Sequence, residues 1–155
     1  VIMRLAEKIN APHYQMSVPV LARTEAELEL YHSLPYVSAS RQRAAAADFA
    51  IVGIGQMDAS APLLVDGFIS AGEHADLAAA GAIGEIAGNI FDATGCFMDH
   101  PVANRMVGVR VPVNRMRVLA IAGGPAKREP LRADLKGGLI HGLITDEATA
   151  KSLIR

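Results

Sequence analysis

Hydrophobic residues along this chain recur at two spacings, one typical of helices and one typical of buried strands. Near the start, Ile2, Leu5 and Ile9 lie at helical intervals with charged residues between them, which predicts an amphipathic helix over residues 1–9. In the segment 48–55, Asp48 is followed by a continuous apolar run that ends in Gly-Ile-Gly. Such a run, without alternation, is typical of a strand buried on both faces of a parallel sheet.

Helix-start signals divide the rest of the chain into further elements. Thr24 with Glu27, and Ser70 with Glu73, have the spacing of capping boxes, in which a hydroxyl and a carboxylate each satisfy a free backbone N–H. Asp146 is the expected N-cap of a last helix. The other predicted elements are an extended segment at 14–20, a helix at 41–47 preceded by Ser38 and Ser40, a short strand or turn-rich segment at 84–91, β-like segments at 107–111 and 118–122, a helix near 127–135 and a buried strand at 139–144.

Strands that alternate with helices predict an α/β fold with a mainly parallel sheet. No internal repeat or low-complexity linker occurs, so residues 1–155 are predicted to form one domain. The 51% hydrophobic content is enough for a sizeable core. With 15 basic and 16 acidic residues, the net charge of -1 gives no dominant field for nucleic acid or an anionic membrane. Cys96 is the single cysteine, which excludes an intrachain disulfide, and a cytoplasmic location is expected.

Three glycine-containing loops are candidate binding elements, because ligands of open α/β sheets bind beyond the carboxyl ends of the strands. In the first loop, Gly53 and Gly55 let the backbone approach a ligand, and Gln56 or Asp58 could hydrogen-bond its hydroxyl groups. The alternative is a tight strand exit without a ligand. The loop lacks the third glycine of a dinucleotide fingerprint, and the chain has no P-loop, so no nucleotide cofactor is expected.

The other two loops carry charged candidates. In residues 123–127, backbone N–H groups at a helix start and Lys127 favour a phosphate or carboxylate, although a cation there opposes the helix dipole. The alternative is a solvated surface lysine. In residues 81–85, Glu85 lies among apolar neighbours, where a carboxylate could accept hydroxyl hydrogen bonds or act as a general base. Asp92 follows seven residues later, and the alternative for these acids is a turn carboxylate.

The remaining polar residues give weaker signals. The five histidines are too far apart for a local ligand pair, so no metal site is expected. No serine lies in a Gly-x-Ser-x-Gly elbow, which argues against serine hydrolase chemistry. Cys96 has no base or cation close to it in the sequence and is predicted to be a buried, inert thiol.

Several motifs in a fixed order make the chain similar to a known family. They are Ala47 to Gly55 (ADFAIVGIG), Gly81 to Glu85 (GAIGE) with Phe91 to Gly95 (FDATG), Ala120 to Gly124 (AIAGG) with Lys127, and Leu135 to Ile140 (LKGGLI) with Leu143 to Glu147 (LITDE). Over residues 45–154, in this order and spacing, the chain resembles the effector-binding domain of the SorC family of bacterial transcriptional regulators.

The resemblance implies a Rossmann-like α/β domain, with helices on both faces of the sheet, related in fold to sugar-phosphate isomerases and deaminases. Its ligand would be a sugar, a polyol or a sugar phosphate. By motif, Glu85 contacts sugar hydroxyls, Lys127 faces the ligand, and Gly55 and Gln56 line the same pocket. In the family, this domain follows an N-terminal helix-turn-helix domain that binds operator DNA, and the protein is expected to be a homo-oligomer, a dimer or a tetramer.

The chain departs from the family pattern in two respects. The family's first strand and its phosphate-binding loop are expected upstream of Val1, so the chain is expected to be a fragment that lacks them and the DNA-binding domain. In addition, no arginine occurs in residues 63–70, where some members place a cationic contact. A neutral polyol or sugar is therefore as compatible with the sequence as a sugar phosphate.

Two other functions stay open on sequence alone. An isomerase-like or deaminase-like enzyme on the same fold would use Glu85 as general base and Lys127 as electrostatic stabiliser. The sequence favours a sensor, and no enzyme is expected, because no histidine or paired acid lies near Glu85 to complete acid–base catalysis. The third possibility is a structural oligomerisation domain that has lost its ligand.

Overall fold

The computed structural model describes residues 2–112 and 115–154, which form a mixed α/β fold with two three-stranded sheets. Val1, the first residue of the predicted first helix, lies outside the described residues. The helices are α1 (Ile2–Ile9), α2 (Glu25–Ser33), α3 (Pro35–Ala45), α4 (Pro62–Val65), α5 (Ala71–Ala79), α6 (Arg128–Gly137) and α7 (Glu147–Ile154). The strands are β1 (Phe49–Val52), β2 (Ile54–Gln56), β3 (Ala82–Ile86), β4 (Asn89–Asp92), β5 (Arg117–Ile121) and β6 (Gly142–Ile144). Short 3-10 turns occur at Ala103–Arg105 and Pro125–Lys127.

The first sheet is parallel and confirms the predicted α/β class. Its strand order is β1–β5–β6, with β5 in the centre. Val118 and Ala120 of β5 share one buried cluster with Leu131 of α6. The chain passes from β5 through α6 to β6, which is the crossover that two neighbouring parallel strands require.

The second sheet is antiparallel and was not predicted from the sequence. β2 pairs with β3, which pairs with β4. The apolar run at 48–55 is therefore two strands that separate at Gly53 and enter different sheets. Ala87 and Gly88 connect β3 to β4 with positive φ angles of 49° and 81°, the backbone of a tight hairpin turn.

The side chains of β1 alternate between a covered and an exposed face of the parallel sheet. Ala50 and Val52 pack against the core, whereas Phe49 and Ile51 are 53% and 57% exposed. The prediction that this strand is buried on both faces is wrong, because β1 is an edge strand with one open face. On the covered face, Leu131 and Ala133 of α6 and Leu153 of α7 belong to the same apolar cluster as the strands.

The capping boxes predicted at α2 and α5 differ in completeness. Thr24 caps α2 by accepting a hydrogen bond from the N–H of Glu27 at 3.1 Å. The Glu27 carboxylate accepts from the N–H of Arg23 instead of that of Thr24, so this box is one-sided. At α5 both halves form, since Ser70 and Glu73 each accept from the backbone N–H of the other.

Other predicted boundaries change in the structure. α3 begins at Pro35, because proline fits the first turn of a helix, and Ser38 and Ser40 therefore lie inside the helix. The segments at 14–20 and 107–111 have no strand in the structure. None of the helices in residues 2–112 and 115–154 is long and apolar enough to cross a membrane.

Candidate functional site

The four residues that the resemblance places in one pocket lie together in the structure. Gly55 and Gln56 end β2, and the register pairs Gly55 with Glu85 on β3. Lys127 ends the 3-10 turn directly before α6 and donates from Nζ to Oε1 of Gln56. Residues far apart in sequence thus reach one place through strand pairing and a single side-chain contact.

A cavity of about 240 Å³ opens beside these residues. Glycine is required at position 55, because a Cβ there would overlap the carboxylate of Glu85. Gln56 is only 9% exposed and lies behind the cavity wall, where it contacts Lys127. The cavity is lined by Gly53, Ile54, Gly55, Pro62, Glu85, Ala87 and Lys127.

Glu85 is the half-buried acid of this cavity. Its Oε2 accepts a hydrogen bond from the N–H of Gly88 at 2.6 Å, across the hairpin turn. Its Oε1 lies against Gly55, which also lines the cavity. Burial raises the pKa of Glu85, while the Gly88 hydrogen bond and the charge of Lys127 oppose that rise. The side chain can therefore accept a hydrogen bond, and it holds a proton more readily than a solvated glutamate.

Lys127 is the cation of the same cavity. Burial lowers the pKa of its amine, and the negative charges of Glu85 and Asp58 oppose this change. The sequence placed a lysine at a helix start, where it opposes the helix dipole, and suggested an anionic ligand as the reason. In the structure, the negative charges of Glu85 and Asp58 partly offset the unfavourable position of this cation at a helix start.

Gln56 is held by a turn that sequence reasoning did not connect to it. Its Nε2 donates to the carbonyl oxygen of Ser60 at 3.1 Å and to the Ser60 hydroxyl at 3.0 Å. The Ser60 hydroxyl donates to Oδ1 of Asp58 at 2.6 Å, and this hydrogen bond lowers the pKa of Asp58. An aspartate two residues before a serine is typical of an Asx turn, so the sequence did contain a signal for this support.

A larger apolar cavity of about 430 Å³ shares Pro62, Glu85 and Ala87 with the first. Sequence reasoning missed it because its walls come from separate segments of the chain. Apolar residues on these segments include Met16, Val18, Val20, Leu63, Phe68 and Met106. Glu85 therefore lines both cavities, and Lys127 lines the smaller one.

Asp134 is a fully buried acid that the sequence analysis did not single out. It is 0% exposed, and within residues 2–112 and 115–154 neither of its carboxylate oxygens has a hydrogen-bond partner. Burial, with a smaller contribution from the charge of Glu85, raises its pKa to about 7. Leu131 lies three residues earlier on the core-facing side of α6, and this helical spacing was the available signal that Asp134 is buried.

Two other candidates lie in the turn after β4. Oδ1 of Asp92 accepts from the N–H of Thr94 at 2.8 Å and from its hydroxyl at 2.6 Å, as the turn interpretation predicts. Cys96 is exposed, so the prediction of a buried thiol is wrong, because the residue follows this turn and lies outside the core. In the part of the chain that the structure describes, no group of three or more His, Cys, Asp or Glu side chains is placed to hold a metal ion.

Comparison with known proteins agrees with this architecture. All of residues 1–155 match the family described as "Putative sugar-binding domain". The Erythritol catabolism regulatory protein EryD of Brucella abortus (strain 2308) is 39% identical over 155 residues, which are 99% of this chain and 49% of EryD. The chain thus spans about half the length of this relative.

Two solved structures have the same fold. A DeoR family transcriptional regulator from Listeria monocytogenes superposes with a TM-score of 0.91 and 22% identity, covering 97% of this chain and 62% of that one. The full-length sorbitol operon regulator SorC from Klebsiella pneumoniae gives a TM-score of 0.87 and 21% identity, covering 97% and 49%. The resemblance drawn from the ordered motifs is therefore confirmed, and the chain belongs to the family of sugar-binding domains found in transcriptional regulators.

Proposed function

We propose that the chain is the ligand-sensing domain of a bacterial transcriptional regulator and binds a sugar, polyol or sugar phosphate beside Glu85 and Lys127. The observation that carries the proposal is the convergence of Gly55, Glu85 and Lys127 at one cavity, with Gln56 bound to Lys127 beside it. Glu85 accepts hydrogen bonds, the Lys127 amine donates them, and glycine lets the backbone approach. Adjacent hydroxyl groups, which both donate and accept, match this set.

The charges at the cavity favour a neutral polyol as the first ligand to test. Lys127 lies in the field of two carboxylates, Glu85 and Asp58, so an incoming phosphate meets negative as well as positive charge. The hydroxyl groups of a polyol meet no such repulsion. The name of EryD, the relative that is 39% identical, also points to erythritol. Erythritol and erythritol 4-phosphate form a neutral and charged pair of probes.

The proposed role in the cell is regulation of operator binding by a longer, homo-oligomeric cytoplasmic protein. The operator-binding helix-turn-helix domain would belong to the part of the relatives' length that this chain does not span. A ligand changes the population of subunit arrangements only if it binds one of them more tightly than the others. The sensing domain therefore needs a cavity whose shape differs between those arrangements.

We propose binding without turnover. An enzyme of the isomerase or deaminase type is the second candidate, because the raised pKa of Glu85 is what a general base near neutral pH requires. The described residues that line the cavity include no histidine as a second proton-transfer group. After long incubation with the chain, NMR spectra of erythritol and erythritol 4-phosphate should be unchanged, and a new product would show that the enzyme interpretation is right.

Calorimetric titration of the chain with the two probes tests the site. Glu85→Gln should weaken erythritol binding about tenfold, because an uncharged amide replaces a charged acceptor. Lys127→Met should weaken erythritol 4-phosphate more than erythritol, because it removes a cation as well as a donor.

Glu147→Gln and Lys151→Met are matched controls. They remove the same two charges from an exposed ion pair on α7 and should leave both affinities unchanged. Absence of saturable binding of either probe by the wild-type chain would contradict the proposed ligand class. Wild-type affinity in both Glu85→Gln and Lys127→Met would show that the ligand binds elsewhere.

A further inference from the structure

The first turn of α7 holds the loop that carries Lys127. The N–H of Gly124 donates to Oδ2 of Asp146 at 3.0 Å and to the hydroxyl of Thr149 at 2.9 Å. The Thr149 hydroxyl donates to the same Asp146 oxygen at 2.6 Å, and the N–H of Thr149 donates to Oδ1 at 2.8 Å. These contacts join two segments that lie more than 20 residues apart.

The loop backbone is shaped to fit this contact. Gly124 has a φ of 99°, a conformation that side chains other than glycine rarely adopt. A Cβ at Gly123 would overlap Oδ2 of Asp146, so the backbone approaches the carboxylate as closely as a glycine allows. Thr149 is 1% exposed, so its hydroxyl is shielded from water and makes its hydrogen bonds to Gly124 and Asp146.

The contact continues to the cavity in two short steps. The carbonyl oxygen of Gly124 accepts from the N–H of Lys127 at 3.1 Å, which closes the 3-10 turn. Nζ of Lys127 then donates to the buried Gln56. The position of the amine therefore depends on a turn whose first residue is fixed by α7.

We propose that Asp146 and Thr149 are positioning residues, which hold the Gly124–Lys127 turn so that the Lys127 amine lies in the cavity. Their role in ligand binding rests on the proposed function of that cavity. Coupling between two sites is reciprocal, so a ligand that engages Lys127 also stabilises the first turn of α7. The first turn of α7 thereby responds to ligand, although it lies outside the cavity.

A measurement without ligand tests the positioning. The side-chain amide of Gln56 reports the Lys127 contact in a 15N-resolved NMR spectrum. Asp146→Asn and Thr149→Val should shift this resonance. The first replaces one of the two acceptor oxygens of Asp146 with an NH2 donor, so the Gly124 and Thr149 N–H groups can no longer both be satisfied, and the second removes the Thr149 hydroxyl that accepts from Gly124. Thr149→Ser keeps the hydroxyl and should restore the wild-type position. Glu147→Gln, an exposed change in the same helical turn, is the control and should leave it in place.

A double-mutant cycle tests the link to binding, with erythritol 4-phosphate and erythritol as probes. Asp146→Asn should weaken the affinity for erythritol 4-phosphate about tenfold when Lys127 is present, the size of one hydrogen bond to a charged group. In the Lys127→Met background the same substitution should change it by less than about twofold. A merely structural effect of Asp146 would instead give equal losses in both backgrounds.

The outcomes separate this inference from the proposed function. An unmoved Gln56 amide in both Asp146→Asn and Thr149→Val, or equal losses in the two Lys127 backgrounds, overturns the positioning role. If the wild-type chain binds neither probe, the proposed ligand class fails, while the Gln56 amide still decides whether α7 positions Lys127. Thermal unfolding of each variant shows whether it is folded, and Thr149→Ser provides the folded comparison if Thr149→Val is not.

Discussion

Asp134 is a buried carboxyl group whose protonation is coupled to folding. Its pKa is about 7 in the folded chain against an ordinary value of 3.8, because burial, with a smaller contribution from the charge of Glu85, disfavours the charged form. The folded state therefore binds this proton more tightly than the unfolded state. The free energy of unfolding should fall as pH rises from about 4 to about 7 and level off above that, by at most about 4 kcal/mol.

The substitution Asp134→Asn removes this titration with little change in side-chain volume. Urea unfolding at pH 5, 6, 7 and 8 should show that the wild-type chain loses more stability than the variant across this range, so that the variant is relatively more stable at pH 8. Asp76→Asn, an exposed change on α5, should leave the pH dependence unchanged. Parallel curves for wild type and Asp134→Asn would mean that Asp134 is not protonated in the folded state.

At the scale of a single helix, a serine that caps a helix and a serine inside one should respond differently to replacement by alanine. Ser70 is the N-cap of α5, and its replacement by alanine should cost about 1 kcal/mol. Ser40 lies inside α3 instead of before it, and Ser40→Ala should be neutral or stabilising by a few tenths of a kcal/mol, because alanine is the better helix former. Urea unfolding of both variants measures this. A loss of about 1 kcal/mol for Ser40→Ala would indicate that Ser40 is an N-cap and that the helix begins at Arg41.

The accuracy of the sequence prediction depends on how local the controlling contact is. The α5 capping box depends on neighbouring residues and was predicted correctly. The break at Gly53 was missed because it depends on pairing with distant strands.

The same distinction applies to the candidate site. The ordered family motifs place Glu85 and Lys127 together, and the structure brings them to one cavity. The contribution of Ser60 and the link from Asp146 to Gly124 were not anticipated, because hydrogen bonds to a shared partner leave no periodic pattern in a sequence. Recognition of a family thus supplied the residues that we propose face the ligand, whereas the contacts that hold them are visible only in the structure.

On the scale of all the described residues, 2–112 and 115–154, the parallel sheet has one apolar face that no described element covers. The register aligns Ile51 with Leu119 and Ile121 with Ile144 on this face. Phe49, Ile51, Ile121 and Ile144 are each more than half exposed, and the register places them on the same face of three neighbouring strands. Parallel sheets are almost always covered on both faces, so in this chain the exposed face should behave as a hydrophobic patch.

The two faces of this sheet should respond differently to the same kind of substitution. Ile51→Thr combined with Ile121→Thr should reduce the fluorescence of a hydrophobic dye such as ANS bound to the chain. The free energy of unfolding should change little, because both side chains are already exposed and threonine is a good strand former. Val118→Thr places a hydroxyl on the covered face, where the side chain is 1% exposed, and should cost about 1–3 kcal/mol. Dye fluorescence and urea unfolding of the two variants measure the contrast. Equal destabilisation by both variants would mean that the face carrying Ile51 and Ile121 is buried in solution. A threonine hydroxyl lowers stability only where water cannot reach it.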